Sequence, residues 1–281
     1  MNSIGIIGGT GLLGHIFSQH LSKKGFTVTV SNETTPNVED EILKTCELII
    51  IVVPIGVTPE VLRRIRKKIH NKALLVDFTS VKGNIEEELK QFNCDVISSH
   101  PLFGKVAMLE GQNIINIPIH PGNRSNELTE LWETLGMKVT EVKSCQEHDK
   151  FMSIIQGLTH MLHMIFASTL RNLSPDMEKL IQICSPVYRS HFAFSSRILG
   201  ASEDLYRNIL MSNPSNKEVS NKLLEATEKM NGIVQNEKSE EFTEVFMEDR
   251  KFLSEFLGGF INESDFLIHQ LGMFVNNQKE T

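Results

Sequence analysis

A doubly wound parallel α/β sheet followed by an all-α domain is the architecture this sequence predicts, on three observations. Up to about residue 145, short runs rich in Val and Ile alternate with amphipathic stretches, the pattern of a parallel sheet covered by helices on both faces. Beyond His148 only helix-length patterns remain. At 281 residues the chain is long enough for two domains, each with its own core. Residues 1–146 are therefore expected to form the sheet domain and residues 147–281 the helical one.

In chain order, strands are expected at 3–7, 27–30, 48–53, 73–77, 95–99, 114–119 and 138–142, mostly without strict alternation because both faces of such strands are covered. Helices are expected between them, most clearly at 11–24, 59–68, 84–91 and 126–135. The second half opens with the segment 151–170, which has almost no polar face and so predicts a helix buried in a bundle or between subunits. Further helices are expected at 177–199, 203–211, 216–234, 239–257 and 263–274, with fraying from residue 276.

Composition narrows the function classes. A net charge of -7 and 22% charged residues, with no long run of either sign, argue against nucleic acid or an anionic membrane as the main partner and favour a small ligand. Cys46, Cys94, Cys145 and Cys184 are widely spaced with no CxxC pair, so they predict reduced thiols. The first apolar stretch lacks a basic leader and is interrupted by Gly5, Gly8, Gly9, Gly11 and Gly14, unlike a signal peptide or membrane span, and a cytoplasmic location is expected.

Gly9, Thr10, Gly11, Leu12, Leu13 and Gly14 form a complete GxGxxG between an expected strand and an expected helix, the context in which this motif binds a dinucleotide. Gly9 is expected to make the tight turn, Gly11 to admit the pyrophosphate, and Gly14 to let helix and strand pack closely. Free N–H groups at the helix start then face the phosphates. The second strand of this Rossmann-type unit should end on an acid that binds the adenosine ribose, but Asn32 stands there, with Glu33 one place later. No Arg or Lys is nearby in sequence to receive a 2'-phosphate, which favours NAD over NADP by a narrow margin.

Ligands of such sheets bind beyond the carboxyl ends of the strands. The residues there are the glycine loop, Val53 and Pro54, Thr79 to Lys82, and His100 with Pro101. Alcohol oxidation needs a proton acceptor while hydride leaves the same carbon, and an imidazole titrating near neutrality makes His100 the candidate. Ser80 is placed to support the imidazole or the nicotinamide, and Lys82 to meet a substrate carboxylate, although a helix-capping hydroxyl and a solvated lysine are equally open readings.

DFTSVK at 77–82, HPLFG at 100–104, EHDKFMSIIQGLTH at 147–160 and CSPVYRSHFAFSSR at 184–197 together resemble the prephenate dehydrogenase family of tyrosine biosynthesis, in the family's order and over nearly the whole chain. The resemblance implies NAD(P)+-dependent oxidative decarboxylation of prephenate to 4-hydroxyphenylpyruvate. It implies His100 as acceptor for the ring hydroxyl and Ser80 as its support. Arg197 would bind a prephenate carboxylate, and Lys82, His160 and Arg189 would complete the anion site. It also implies a homodimer through the helical domain, and any tyrosine inhibition acting at the active site itself. His148, His160 and His163 lack a carboxylate at matching spacing, so no metal is expected, and His148 with Asp149 reads as a helix start.

Three rivals remain. Arogenate or 4-amino-4-deoxyprephenate dehydrogenases of the same family would use nearly the same residues. A β-hydroxyacid dehydrogenase would need a GxxxGxGxxxK helix, which does not follow residue 145. A non-catalytic NAD(P)-sensing protein would need only the glycine loop and leaves His100, Ser80 and Arg197 without a purpose.

Overall fold

In the computed structural model, which describes residues 1–106, 108–120 and 124–277, seven strands form one sheet. They are β1 Ser3–Ile7, β2 Thr27–Ser31, β3 Leu48–Ile51, β4 Leu74–Asp77, β5 Asp95–Pro101, β6 Asn113–His120 and β7 Lys138–Glu141, in the spatial order β2-β1-β3-β4-β5-β6-β7. The side-chain period of two splits the central strands between two cores. Leu48 and Ile50 of β3, with Leu74 and Val76 of β4, pack beside Phe17 and Trp132 on one face. Ile49, Ile51 and Leu75 pack with Leu43, Leu62 and Leu89 on the other. Both faces are therefore covered, as the unbroken Leu-Ile-Ile-Ile and Leu-Leu-Val runs require.

The expectation of a wholly parallel sheet holds from β2 through β5 and between β6 and β7, but β5 and β6 are antiparallel, with His100 opposite Ile115. The reason is the length of the link: residues 102–112 are too few for the helical crossover that parallel neighbours need, so the chain turns straight back. The order reverses at β1, which puts the switch-point crevice between β1 and β3.

Helices α1 Leu12–Lys23, α2 Pro36–Thr45, α3 Thr58–Ile65, α4 Glu86–Leu89 and α5 Ser125–Thr134 cover this sheet. Of these, α2 lies between two expected strands but is not among the helices that the sequence singles out. Its sequence is acidic, and only Glu39, Ile42 and Leu43 are buried, too narrow an apolar stripe to stand out.

The rest of the described chain is helical: α6 Cys145–Met152, a π turn Ser153–Leu158, α7 Thr159–Leu173, α8 Met177–Ile183, α9 Pro186–Leu199, α10 Glu203–Ser212, α11 Asn216–Gln235, α12 Ser239–Phe252 and α13 Leu257–Asn277. The single helix expected over 177–199 is two. Ser185 adopts an extended conformation, its hydroxyl accepts the Tyr188 N–H at 3.2 Å, and Pro186 follows as the first helical residue, so α9 has its own start. Asn276 and Asn277 end α13 as helix, and residues 278–281 lie outside the described ones.

The chain packs as two units, Met1–Ser153 with Arg207–Ser215, and Ile154–Tyr206 with Asn216–Thr281. Residues 147–153, expected with the helical domain, thus belong to the first unit. Within its own chain α7 has no buried residue, and Leu162, Met164 and Ile165 are exposed, so of the two expected forms of burial the one inside a bundle of the same chain is not met. By length and composition alone, Cys145–Leu173 is apolar enough to cross a membrane.

Candidate functional site

The glycine loop lies at the carboxyl end of β1. The tight turn falls to Gly8, whose φ of +84° lies in the left-handed region, rather than to Gly9 as the motif predicts. Gly9 is instead needed for packing, since a Cβ there would strike the Val30 side chain and come within 3.2 Å of the Ile6 carbonyl oxygen. Gly14 acts as expected: a Cβ on it would stand 2.5 Å from Gly9 Cα, so the helix can sit this close only on glycine. At Gly11 the nearest atom to such a Cβ would be 3.5 Å away, leaving the approach open. Gly11 caps α1 without any side-chain hydrogen bond, so the first N–H groups of the helix are not satisfied by a cap, and Thr10 and Leu12 are exposed beside them. This cradle fits a dinucleotide pyrophosphate.

Neighbouring strand ends close on the loop. The Ser31 carbonyl accepts the N–H groups of Gly8 at 2.9 Å and Gly9 at 3.2 Å, which brings Asn32 and Glu33 beside it. A Cβ on Gly8 would lie 2.8 Å from Val53 Cγ1, so Val53 borders the same turn, and exposed Pro54 follows it. After β4, Ser80 is half-buried, and its hydroxyl makes no hydrogen bond among the described residues.

His100 and Pro101 end β5, and both are buried. His100 Nδ1 is 2.9 Å from His148 Nε2, and His148 Nδ1 is 2.8 Å from Asp149 Oδ1. Asp149 also accepts the Lys82 N–H on Oδ1 at 3.0 Å and the Gly83 N–H on Oδ2 at 2.8 Å. A carboxylate only accepts, so this chain of contacts has one polarity. His148 donates from Nδ1 and accepts on Nε2, and His100 donates from Nδ1. The lone pair of His100 is thereby left on Nε2. Burial pushes the His100 imidazole well below its ordinary value, with the neighbouring His148 and Lys82 acting in the same direction. Burial also lowers His148, against the opposing effect of its hydrogen bond to Asp149. Both rings are neutral at pH 7, as the assigned tautomers require.

His148 and Asp149 are the residues that sequence reading passed over, although an adjacent His-Asp pair was the available signal. Their contacts fix the ring orientation and tautomer of His100, the geometry expected of positioning residues. Asp149→Asn offers one oxygen where three donors converge, so it disturbs the His148 tautomer. We expect kcat to fall at least ~10-fold, short of the ~10⁴ that a lost orienting carboxylate costs in a serine-protease triad, because the one remaining oxygen still accepts from either the Lys82 or the Gly83 N–H and keeps the side chain in place. Steady-state kinetics alongside dinucleotide titration would show it: KM and dinucleotide affinity should move less than ~3-fold, whereas a purely structural role would move them together with kcat.

Lys82 is a correction. It is fully buried, and its ammonium donates to Asp77 Oδ1 at 2.8 Å and to the Ser99 carbonyl at 2.7 Å, so it faces the protein interior rather than a substrate carboxylate. Asp77 also accepts from the Thr79 N–H and the Ser98 hydroxyl, which ties the end of β4 to β5 beneath His100. The physical cause is that a buried carboxylate must be paired, and the lysine five residues on is its partner.

His160, Arg189 and Arg197 belong to the second unit. His160 on α7 meets Tyr206 edge-on, with ring centroids 4.9 Å apart. Burial pushes His160 down to about 4, and among the described residues its buried Nδ1 has no hydrogen-bond partner, nor has Oε1 of Gln156 one turn earlier. The Arg197 charge acts on Tyr206, opposing the rise that burial imposes on its hydroxyl. His160, Tyr206 and Arg197 thus share one neighbourhood, while Arg189 is half-buried in the first turn of α9.

Known proteins give the same picture. The family model described as prephenate dehydrogenase, nucleotide-binding domain, matches residues 12–141, and that described as prephenate dehydrogenase, dimerization domain, matches residues 144–248. A protein of Methanocaldococcus jannaschii named probable arogenate/prephenate dehydrogenase is 31% identical over 89% of this chain, which spans 60% of that relative's length. The T-protein of Haemophilus influenzae is 26% identical over 93% of this chain and 70% of its own. A crystal structure of prephenate dehydrogenase from A. aeolicus, in complex with hydroxyphenyl propionate and NAD+, superposes with a TM-score of 0.69 at 18% identity, covering 90% of this chain and 98% of that one. Two models of one family meet almost end to end along the sequence, and a solved member shares the fold over nine-tenths of it, so the chain belongs to the prephenate dehydrogenase family.

Proposed function

We propose that this chain is an NAD(P)+-dependent prephenate dehydrogenase, converting prephenate to 4-hydroxyphenylpyruvate and carbon dioxide. The observation that carries this reading is the buried, neutral His100, whose Nε2 is left as an acceptor by the line through His148 to Asp149. A dinucleotide whose pyrophosphate is held at the glycine loop would supply the nicotinamide that takes the hydride from the hydroxyl-bearing ring carbon. His100 Nε2 accepts a hydrogen bond from that hydroxyl as the hydride departs, stabilising the charge that develops on oxygen. The bond to the ring carboxylate then breaks, its electron pair enters the ring, carbon dioxide leaves, and the proton stays on the phenolic oxygen. Ser80 supports His100 or the cofactor amide. Arg197 and His160, with Arg189, hold the substrate's carboxylates.

The helical half is read as the dimer contact of a cytoplasmic homodimer. Its matching family model is named for dimerization, and its α7, α9, α12 and α13 expose Ile165, Phe194, Phe246, Phe260 and Phe266. Exposed apolar side chains in this number call for a partner surface. Tyrosine, which has the product's ring, is expected to compete with prephenate for the same site.

The test is reduced-cofactor formation with prephenate, arogenate and 4-amino-4-deoxyprephenate, each with NAD+ and with NADP+. Prephenate should have the highest kcat/KM. A much higher value for arogenate would move the assignment to that substrate, and absence of turnover with all three would leave the NAD(P)-sensing reading in its place.

A further inference from the structure

The end of β2 carries a device for cofactor choice. Asn32 stands where an acid that binds the ribose is expected, and its amide orientation follows from one contact: the Thr34 N–H, which can only donate, lies 3.0 Å from Oδ1. The Thr34 hydroxyl at 2.8 Å and the Thr35 hydroxyl at 3.2 Å converge on the same oxygen. The Asn32 backbone N–H is held in turn by Thr35 Oγ1 at 2.9 Å. Oδ1 is thereby occupied inside the turn. The NH2 makes no hydrogen bond among the described residues, and Asn32 is partly exposed beside Gly8 and Gly9. What this position offers a ligand is a donor.

The chemistry of the two adenosine riboses then decides the outcome. A 2'-hydroxyl both donates and accepts, whereas a 2'-phosphate only accepts. A carboxylate here would serve the first and repel the second, but an NH2 donor serves both. Glu33, one residue later, is exposed, where solvent screens its charge. We infer that the adenosine end of this site admits NADP+ as readily as NAD+, and that Asn32 is the residue that sets this tolerance. The inference rests on the dinucleotide reading of the glycine loop and revises the narrow preference for NAD that the absence of a nearby cation suggests.

Calorimetric titration of the full-length protein with NAD+ and with NADP+ tests it without reference to turnover. NAD+ should bind no more than ~10-fold tighter than NADP+. Asn32→Asp keeps Oδ1 in the turn and replaces only the NH2, so the melting temperature should hold while the NADP+ Kd rises at least ~10-fold, the scale of one charge-assisted hydrogen bond lost. The NAD+ Kd should stay level or fall. A wild-type preference for NAD+ beyond ~10-fold, or an NADP+ affinity that Asn32→Asp leaves unchanged, would overturn the role of Asn32. Glu33→Gln is the control: a tenfold loss of NAD+ affinity there would identify Glu33 as the ribose ligand and likewise overturn it. Failure of both dinucleotides to bind at millimolar concentration would instead remove the dinucleotide site itself, and the proposal with it.

Discussion

His100→Ala should reduce turnover of prephenate by at least ~100-fold, the usual scale for losing a positioned acid or base, while leaving dinucleotide affinity unchanged. The two effects separate because the cofactor cradle is built on β1 and α1, whereas His100 ends β5. The pH dependence follows from the same burial. A base works only when unprotonated, so its activity is present above its pKa and lost as pH falls through it. Burial holds His100 well below the ordinary 6.5, and kcat/KM should therefore stay level from pH 7 down past 6, with its acid limb well below the usual histidine range. Asn in place of His100 keeps a polar side chain of similar size without an acceptor that titrates, and it should show the same loss with no acid limb. Near-normal turnover in His100→Ala would mean that the hydroxyl needs no acceptor at this position.

The elements that were legible in the sequence are those whose cause is local. β3 and β4 are runs of aliphatic residues that only a strand covered on both faces accommodates, and each is found within two residues of its expected ends. His100 was legible for a topological reason, because the end of a parallel strand faces the ligand crevice whatever surrounds it. The misses have non-local causes. The pairing of His148 with His100 joins residues 48 apart in the chain, and the adjacent His148 and Asp149, the one local signal, read equally as a helix start. Lys82 reads as a ligand for a substrate carboxylate until β4 and β5 enclose it with Asp77. The antiparallel β6 was hidden by the strand ends: those expected at 99 and 114 leave room for a crossover, and only the longer β5 and β6 shorten the link to residues 102–112. The turn at Gly8 rather than Gly9 belongs with these, since the motif specifies three glycines and says nothing of the one before them. Conversely, the break at Ser185 and Pro186 was visible as a cap followed by a first-turn proline and lay hidden only in a longer apolar periodicity.

Arg197→Ala is expected to raise the KM for prephenate by ~10- to 100-fold, the factor that corresponds to losing hydrogen bonds to a charged group. Arg197 lies in the last turn of α9, and its charge acts on Tyr206, whose ring rests against His160. The neutral His160 can share a hydrogen bond with a carboxylate but cannot neutralise it, because burial pushes its pKa down to about 4. The formal charge in this neighbourhood therefore comes from the arginine. A planar guanidinium holds a carboxylate through two parallel hydrogen bonds, so Arg197→Lys should recover only part of the affinity. His100, the proposed acceptor for the hydroxyl, is untouched by either change, and kcat should move less than ~3-fold. Because KM equals the dissociation constant only when chemistry is slow relative to release, binding of 4-hydroxyphenylpyruvate should be titrated in parallel, and it should weaken by a similar factor. An unchanged KM together with unchanged product affinity would make Arg197 a structural residue of α9 and would leave His160 and Arg189 as the groups to test for the carboxylate.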